Sequence, residues 1–294
     1  MDDLQSVSTT VATHVGRLHV ESIGAGPPAV LWHSLFVDSR SWHRVVDELG
    51  RDRRLVLITG PGHGPSGDPG RHYSIEDCAD AASSVLDALE IKGPVDWVGN
   101  AWGGHVGIVF AAQQPQRVRT LTTVGTPVHG YTLRGRAETQ ALLALHRLFG
   151  PTRLLRDSIT DALLSQRTRA KDPDAVDLVQ DCFTNADRAG LRNAVVSISL
   201  RRRDLGPLLP SIQVPTLIVT GSEHRDWTPE LARNAGRSLP QGSVSVLDGA
   251  AYLGPLETPR EFIRLVRHFW ASHPPAHHHQ NQPVPGDPPP ERLE

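Results

Sequence analysis

The stretch richest in chemical information is VDWVGNAWGGH, residues 95–105. An apolar strand runs into Gly99-Asn100-Ala101-Trp102-Gly103-Gly104 and from there straight into a helix. Small residues stand on both sides of position 101. They are needed where a chain turns so sharply that its central residue is strained and its neighbours touch backbone. This is the shape of a G-x-S-x-G nucleophile elbow, in which a serine attacks a carbonyl carbon. The central residue here is Ala101, so no acyl- or alkyl-enzyme can form at this turn. Other candidates are weaker. Cys78 and Cys182 make neither a disulfide framework nor a metal-ligand spacing, and no metal or other cofactor is expected. Residues 60–64, GPGHG, form a loop, but no Lys-Ser/Thr follows to make it a phosphate loop. His277, His278 and His279 read as a solvated tract, because no helix or partner ligand accompanies them.

The elements that must position this turn follow from the hydrophobic pattern. Short apolar runs at 20–23, 29–32, 55–58, 95–98, 121–124, 216–220 and 243–247 read as strands. Helical spacing covers 42–49, 79–89, 103–112 and 261–270, and Ser74 with Asp77 marks a helix start. Continuous apolar strands between helices imply a mostly parallel sheet covered on both faces. Residues 131–204 break that rhythm, with helical patterns at 140–148, 153–164, 174–182 and 191–200 and no strand. They are expected to form a helical lid inserted into a core made of 1–130 and 205–273. Residues 274–294, rich in proline and histidine, are expected to be a disordered tail.

Five segments, in order, resemble the α/β-hydrolase superfamily over roughly residues 15–270. His33-Ser34-Leu35-Phe36 is similar to the family's oxyanion loop, with Ser34 in place of the usual glycine. Gly60–Ser66 is similar to the G-x-G-x-S loop, and 99–103 to the elbow. Residues 214–221 are similar to the strand before the catalytic acid. Residues 249–259 are similar to the segment that holds the catalytic histidine five residues before a Glu. The resemblance implies an α/β-hydrolase fold with a helical lid. It also places Ala101 at the nucleophile position, His224 at the acid position and Tyr252 at the histidine position. Asp226 lies two residues beyond His224, with no histidine to orient. A lone serine-to-alanine change would leave 224 and 252 intact, so three departures read as an altered site.

What the resemblance leaves is a pocket. The N–H groups of Leu35 and Trp102 are expected to converge on one oxygen at a helix N-terminus. His224 and Tyr252 are expected to face the same cleft as an acid–base pair. Trp102 and Trp227 are expected to flank it, with His129 a candidate to face it. His33 and His63 read as loop-holding residues, and His105 is expected to pack behind the turn. Three readings stay open. The first is a non-hydrolytic enzyme that isomerises, eliminates or cyclises a small apolar carbonyl compound. The second is a serine hydrolase of esters or lactones seen as a nucleophile-to-alanine variant. The third is a small-molecule binder without catalysis.

The 294 residues carry a net charge of −2, with 38% apolar and 21% charged residues. Such a balance has no basic field for nucleic acid or anionic lipid. There is no apolar run for a membrane span and no apolar stretch near the start for a secretory signal. A cytoplasmic protein whose partner is a small molecule is expected; the pattern does not speak to oligomeric state.

Overall fold

A computed structural model describes residues 5–275, so most of the Pro/His-rich stretch, including His277–His279, lies outside the described residues. Eight strands form one sheet in the order β1-β2-β4-β3-β5-β6-β7-β8. They are β1 (Ser6–Thr13), β2 (Gly16–Ile23), β3 (Pro28–Trp32), β4 (Arg54–Ile58), β5 (Val95–Asn100), β6 (Val118–Val124), β7 (Thr216–Gly221) and β8 (Gly242–Leu247). The pairs β1·β2 and β2·β4 are antiparallel and all others parallel. This is the mostly parallel sheet expected from the apolar runs and the α/β-hydrolase fold that the resemblance implies.

The helices are α1 (Val46–Leu49), α2 (Ile75–Ala88), α3 (Trp102–Gln113), α4 (Leu133–Phe149), α5 (Arg153–Leu163) and α6 (Gln166–Lys171). They continue with α7 (Pro173–Asn185), α8 (Arg188–Val195), α9 (Pro229–Arg237), α10 (Gly254–Glu257) and α11 (Pro259–Ser272). Helices α4 to α8 all lie between β6 and β7, and a π-helical turn, Val196–Leu200, extends α8. Each begins on a side-chain cap: Thr132, Thr152, Ser165, Asp172 and Asp187 accept from backbone N–H groups one turn on. Caps of this kind let short helices start cleanly within a long insertion. The helical run expected at 42–49 divides into a 3₁₀ turn, Ser39–Trp42, and the single turn α1.

The first strand was not expected. β1 is mostly exposed and polar on the sheet edge, so it lacks the apolar run by which the buried strands announce themselves. Its Val and Thr content was the available signal.

Two buried anchors fix β5, which carries the sharp turn. At one end Asp96, 0% exposed, accepts from Arg53 Nε at 3.0 Å, Arg119 Nε at 2.9 Å and Thr120 Oγ1 at 2.6 Å. At the other end α3 presses its first turn onto the end of β3. The Gly103 N–H donates to the His33 carbonyl at 3.2 Å, and Trp97 Nε1 donates to the Gly103 carbonyl at 3.0 Å. A Cβ on Gly103 would lie 1.9 Å from the Trp32 carbonyl oxygen, and one on Gly99 would lie 2.1 Å from the Gly103 backbone. These contacts are open only to glycine. Gly103→Ala should therefore destabilise the protein by about 3 kcal/mol or prevent folding. Gly93→Ala, where a Cβ meets nothing within 4 Å, should be nearly neutral. Thermal melts of the two variants check this; equal melting temperatures would refute it.

Candidate active site

Ala101 sits between β5 and α3 at φ 46° and ψ −99°, in the left-handed region that a residue with a Cβ enters at a cost. Its N–H donates to the Val124 carbonyl at 2.7 Å. Asn100 holds the turn from the other side, its Nδ2 donating to the carbonyls of Val124 at 2.9 Å and Tyr252 at 2.8 Å. The strained turn is fully formed, although its side chain is a methyl group.

Ala101 opens into a cavity of about 440 Å³, lined also by Ser34, Leu35, Trp102, Asp226 and Tyr252. The Trp102 N–H is the first of α3, so the helix supplies it no acceptor. Among the described residues neither it nor the Leu35 N–H has a hydrogen-bond partner. Ser34 is only 1% exposed, and its hydroxyl is likewise unpartnered. The Tyr252 hydroxyl is free of partners too, and burial pushes its pKa well above the ordinary value, so it stays protonated and keeps a proton to donate. Asp226 is exposed at the cavity edge and has neither a hydrogen bond nor an ion pair among the described residues. The site is thus rich in free donors, with one free carboxylate.

Several expectations need correction. His224 does not line the cavity. Its Nδ1 accepts the Trp227 N–H at 3.0 Å, so the neutral ring carries its proton on Nε2 and has no lone pair to offer a substrate. Burial lowers its pKa to about 4, the nearby Gly125 carbonyl opposing this only in part. Its ring lies 3.9 Å from that of Tyr252, so it backs Tyr252 and does not act as a base. Trp227 is 1% exposed and belongs to the core, packed beside Leu121, Ile108 and Leu209, and is not a pocket wall. His129 packs on Trp227, centroids 6.0 Å apart, outside the cavity lining. Trp102 contributes to the lining, yet its indole packs among Trp32, His33 and His63. His33 accepts the Gly60 N–H at 2.8 Å on Nε2 and donates from Nδ1 to the Ser34 carbonyl at 2.6 Å, which makes it a loop-holding residue. His105 reaches the cavity as well as packing behind the turn, its Nε2 donating to the Pro127 carbonyl at 2.8 Å. The lining is not simply apolar: Glu138, Asp161, Arg169, Arg202, Glu223 and Arg225 contribute. Arg202, on the far side of the insertion, carries no chemical motif and was not anticipated.

Glu257, five residues after Tyr252, joins the insertion to the Tyr252 loop. Oε1 accepts the N–H groups of Ala251 at 2.8 Å and Leu253 at 3.2 Å. Oε2 accepts the Ser165 N–H at 2.7 Å and the Thr168 hydroxyl at 2.9 Å.

The His224 geometry makes a titration prediction. A folded pKa near 4 against an ordinary 6.5 means that the unfolded chain binds more protons between these values. Stability should fall as pH drops from about 6.5 towards 4, and His63, lowered to about 3, acts in the same direction. Ring-nitrogen NMR should show His224 neutral and protonated on Nε2 at pH 5.5. A charged ring at that pH would refute the assignment.

Comparison with known proteins agrees with this architecture. The model of the Alpha/beta hydrolase family matches residues 29–265. The chain is 28% identical over 284 residues to 2-hydroxy-6-oxo-2,4-heptadienoate hydrolase of Pseudomonas putida, covering 90% of this chain and 99% of that one. It is 27% identical over 269 residues to a 2-hydroxy-6-oxononadienedioate/2-hydroxy-6-oxononatrienedioate hydrolase of Cupriavidus pinatubonensis, covering 86% and 90%. Among solved structures, a thermophilic esterase from Thermogutta terrifontis superposes with a TM-score of 0.84 at 22% identity, covering 91% and 100%. The enol-lactonase from Burkholderia xenovorans LB400 superposes at 0.82 and 23%, covering 90% and 100%. The structural likenesses speak for the fold alone; with the family match spanning most of its length, the chain belongs to the alpha/beta hydrolase family.

Proposed function

We propose that this protein is an enzyme of non-covalent chemistry that moves a proton at the carbon next to a carbonyl group of a small molecule. The observation that carries the reading is the formed turn around Ala101: it keeps its two free N–H groups and holds no nucleophile. In this reading the N–H groups of Leu35 and Trp102 hold the carbonyl oxygen. The Asp226 carboxylate takes the proton from the adjacent carbon, and the electron pair of that C–H bond moves onto the oxygen as an enolate. The Tyr252 hydroxyl donates to the developing charge. Where a double bond is conjugated with the enolate, its electrons extend the charge to the far carbon, and return of the proton there gives an isomer. Donors fixed in place before charge develops are worth about 3 kcal/mol each in comparable pockets.

In this reading the insertion acts as a lid that excludes water, since α4, α5, α6 and the π-helical turn contribute to the cavity wall. The relatives' names support the substrate class: a 2-hydroxy-6-oxo-2,4-heptadienoate joins an enol and a ketone in one conjugated chain. The same names favour a second reading, a hydrolase whose nucleophile has been lost. That reading requires a base for a restored serine. Tyr252 cannot serve, and the His224 lone pair is engaged by backbone.

The two readings separate experimentally. Fluorophosphonate probes should not label the chain, and Ala101→Ser should bring esterase turnover no higher than background. In ²H₂O, NMR should show enzyme-dependent exchange of the protons next to the carbonyl in one or more of acetylacetone, acetophenone and 4-oxopentanoate. Asp226→Asn and Tyr252→Phe should each slow exchange by about tenfold or more. Absence of exchange with all three ketones would overturn the reading and leave a binder without catalysis. Vigorous esterase activity in Ala101→Ser would instead favour the hydrolase.

A further inference from the structure

Arg202 follows the π-helical turn at the end of the insertion and is only 7% exposed. Its Nη1 donates to the carbonyls of Val128 at 3.1 Å and Arg203 at 3.3 Å, and its Nη2 to that of His129 at 2.7 Å. These contacts use three of the five N–H groups of a guanidinium. Nε is buried with no partner at all. No carboxylate lies within ion-pair distance of Arg202 among the described residues. The other arginines beside the cavity differ, since Arg169 and Arg225 both pair with Asp161. A buried charge without a counter-ion is costly, and native structures seldom keep one unless something neutralises it.

Arg202 also lines the cavity that holds Ala101, on the side of Tyr252 and His105. Asp204, whose charge acts on Arg202 without pairing with it, is exposed to solvent and gives one oxygen to the Gly206 N–H. The carbonyl dipoles of Val128, His129 and Arg203 orient the guanidinium but carry no net charge.

We infer that the cavity takes an organic anion, and that Arg202 receives a carboxylate group of the ligand while the turn at Ala101 holds its carbonyl oxygen. The second half of this statement rests on the proposed function, the first on Arg202 alone. The small apolar ligand expected from the residue pattern becomes a keto acid. Arg202 is then a specificity residue and takes no part in the proton transfer. It also ties together the two places where the insertion leaves and rejoins the core, around 128–129 and 203. A ligand carboxylate bound there would neutralise the cation that holds both ends.

Isothermal titration of the full-length protein tests this with three probes: 4-oxopentanoate, its neutral amide 4-oxopentanamide, and pentanoate. The keto acid should bind at least tenfold tighter than the keto amide, the range of a charge-assisted hydrogen bond. Arg202→Met should abolish the preference and Arg202→Lys should retain most of it, with circular dichroism checking that each variant folds. Equal binding of keto acid and keto amide to the unaltered protein would overturn the inference without any variant. So would retention of the preference in a folded Arg202→Met, or failure of all three probes to bind. If pentanoate binds as tightly as 4-oxopentanoate and both exceed the amide, the anion site stands and the carbonyl reading fails. If the two keto compounds bind equally and pentanoate does not bind, the reverse holds.

Discussion

The site depends on the contact between the first turn of α3 and the end of β3. Gly103 brings the helix so close that its N–H reaches the His33 carbonyl, and no other residue type fits against Trp32. That approach forces the chain through Ala101 in a left-handed conformation and aims the first N–H of α3 into the cavity. His33, clamped by Gly60 on one nitrogen and the Ser34 carbonyl on the other, fixes the loop whose Ser34 and Leu35 line the same cavity. The backbone of a hydrolase turn is therefore maintained in a chain that lacks the side chain for which such turns are known. Strain of order 1–3 kcal/mol at a non-glycine residue persists only where its surroundings enforce it.

The altered positions form a consistent set. Tyr252 and His224 lie in ring contact, their centroids 3.9 Å apart and their planes tilted by 36°. The Trp227 N–H, which takes the His224 lone pair, makes that histidine a wedge. The proposed function gives the catalytic roles to the backbone donors, the Tyr252 hydroxyl and Asp226. A carboxylate base and preset donors suit proton transfer next to a carbonyl, which needs no covalent intermediate.

Much of this was legible in the residue order. Unbroken apolar runs marked the buried strands, and the glycines around 101 marked the turn, because both reflect constraints local to a few residues. β1 escaped because an exposed edge strand buries almost nothing. Tyr252 lines the cavity, and a strand end and loop length set its position. His224 and Trp227 were misplaced because their orientation is decided by one backbone N–H in an irregular loop, which no periodicity reports. Arg202 was invisible for a different reason. In Arg201-Arg202-Arg203 the three side chains look alike, and only packing shows that the middle one is buried between two exposed neighbours.

Glu257 has a mechanical meaning. Its two oxygens gather donors from residues 165–168 of the insertion and from residues 251 and 253, which flank Tyr252. The linkage is short, and charge-assisted bonds of this kind stretch little before breaking. Displacement of the α5–α6 corner is therefore transmitted through one carboxylate to the backbone on either side of Tyr252. One carboxylate thus serves as the common acceptor of two segments far apart in the chain, and its loss would leave four donors without a partner at once.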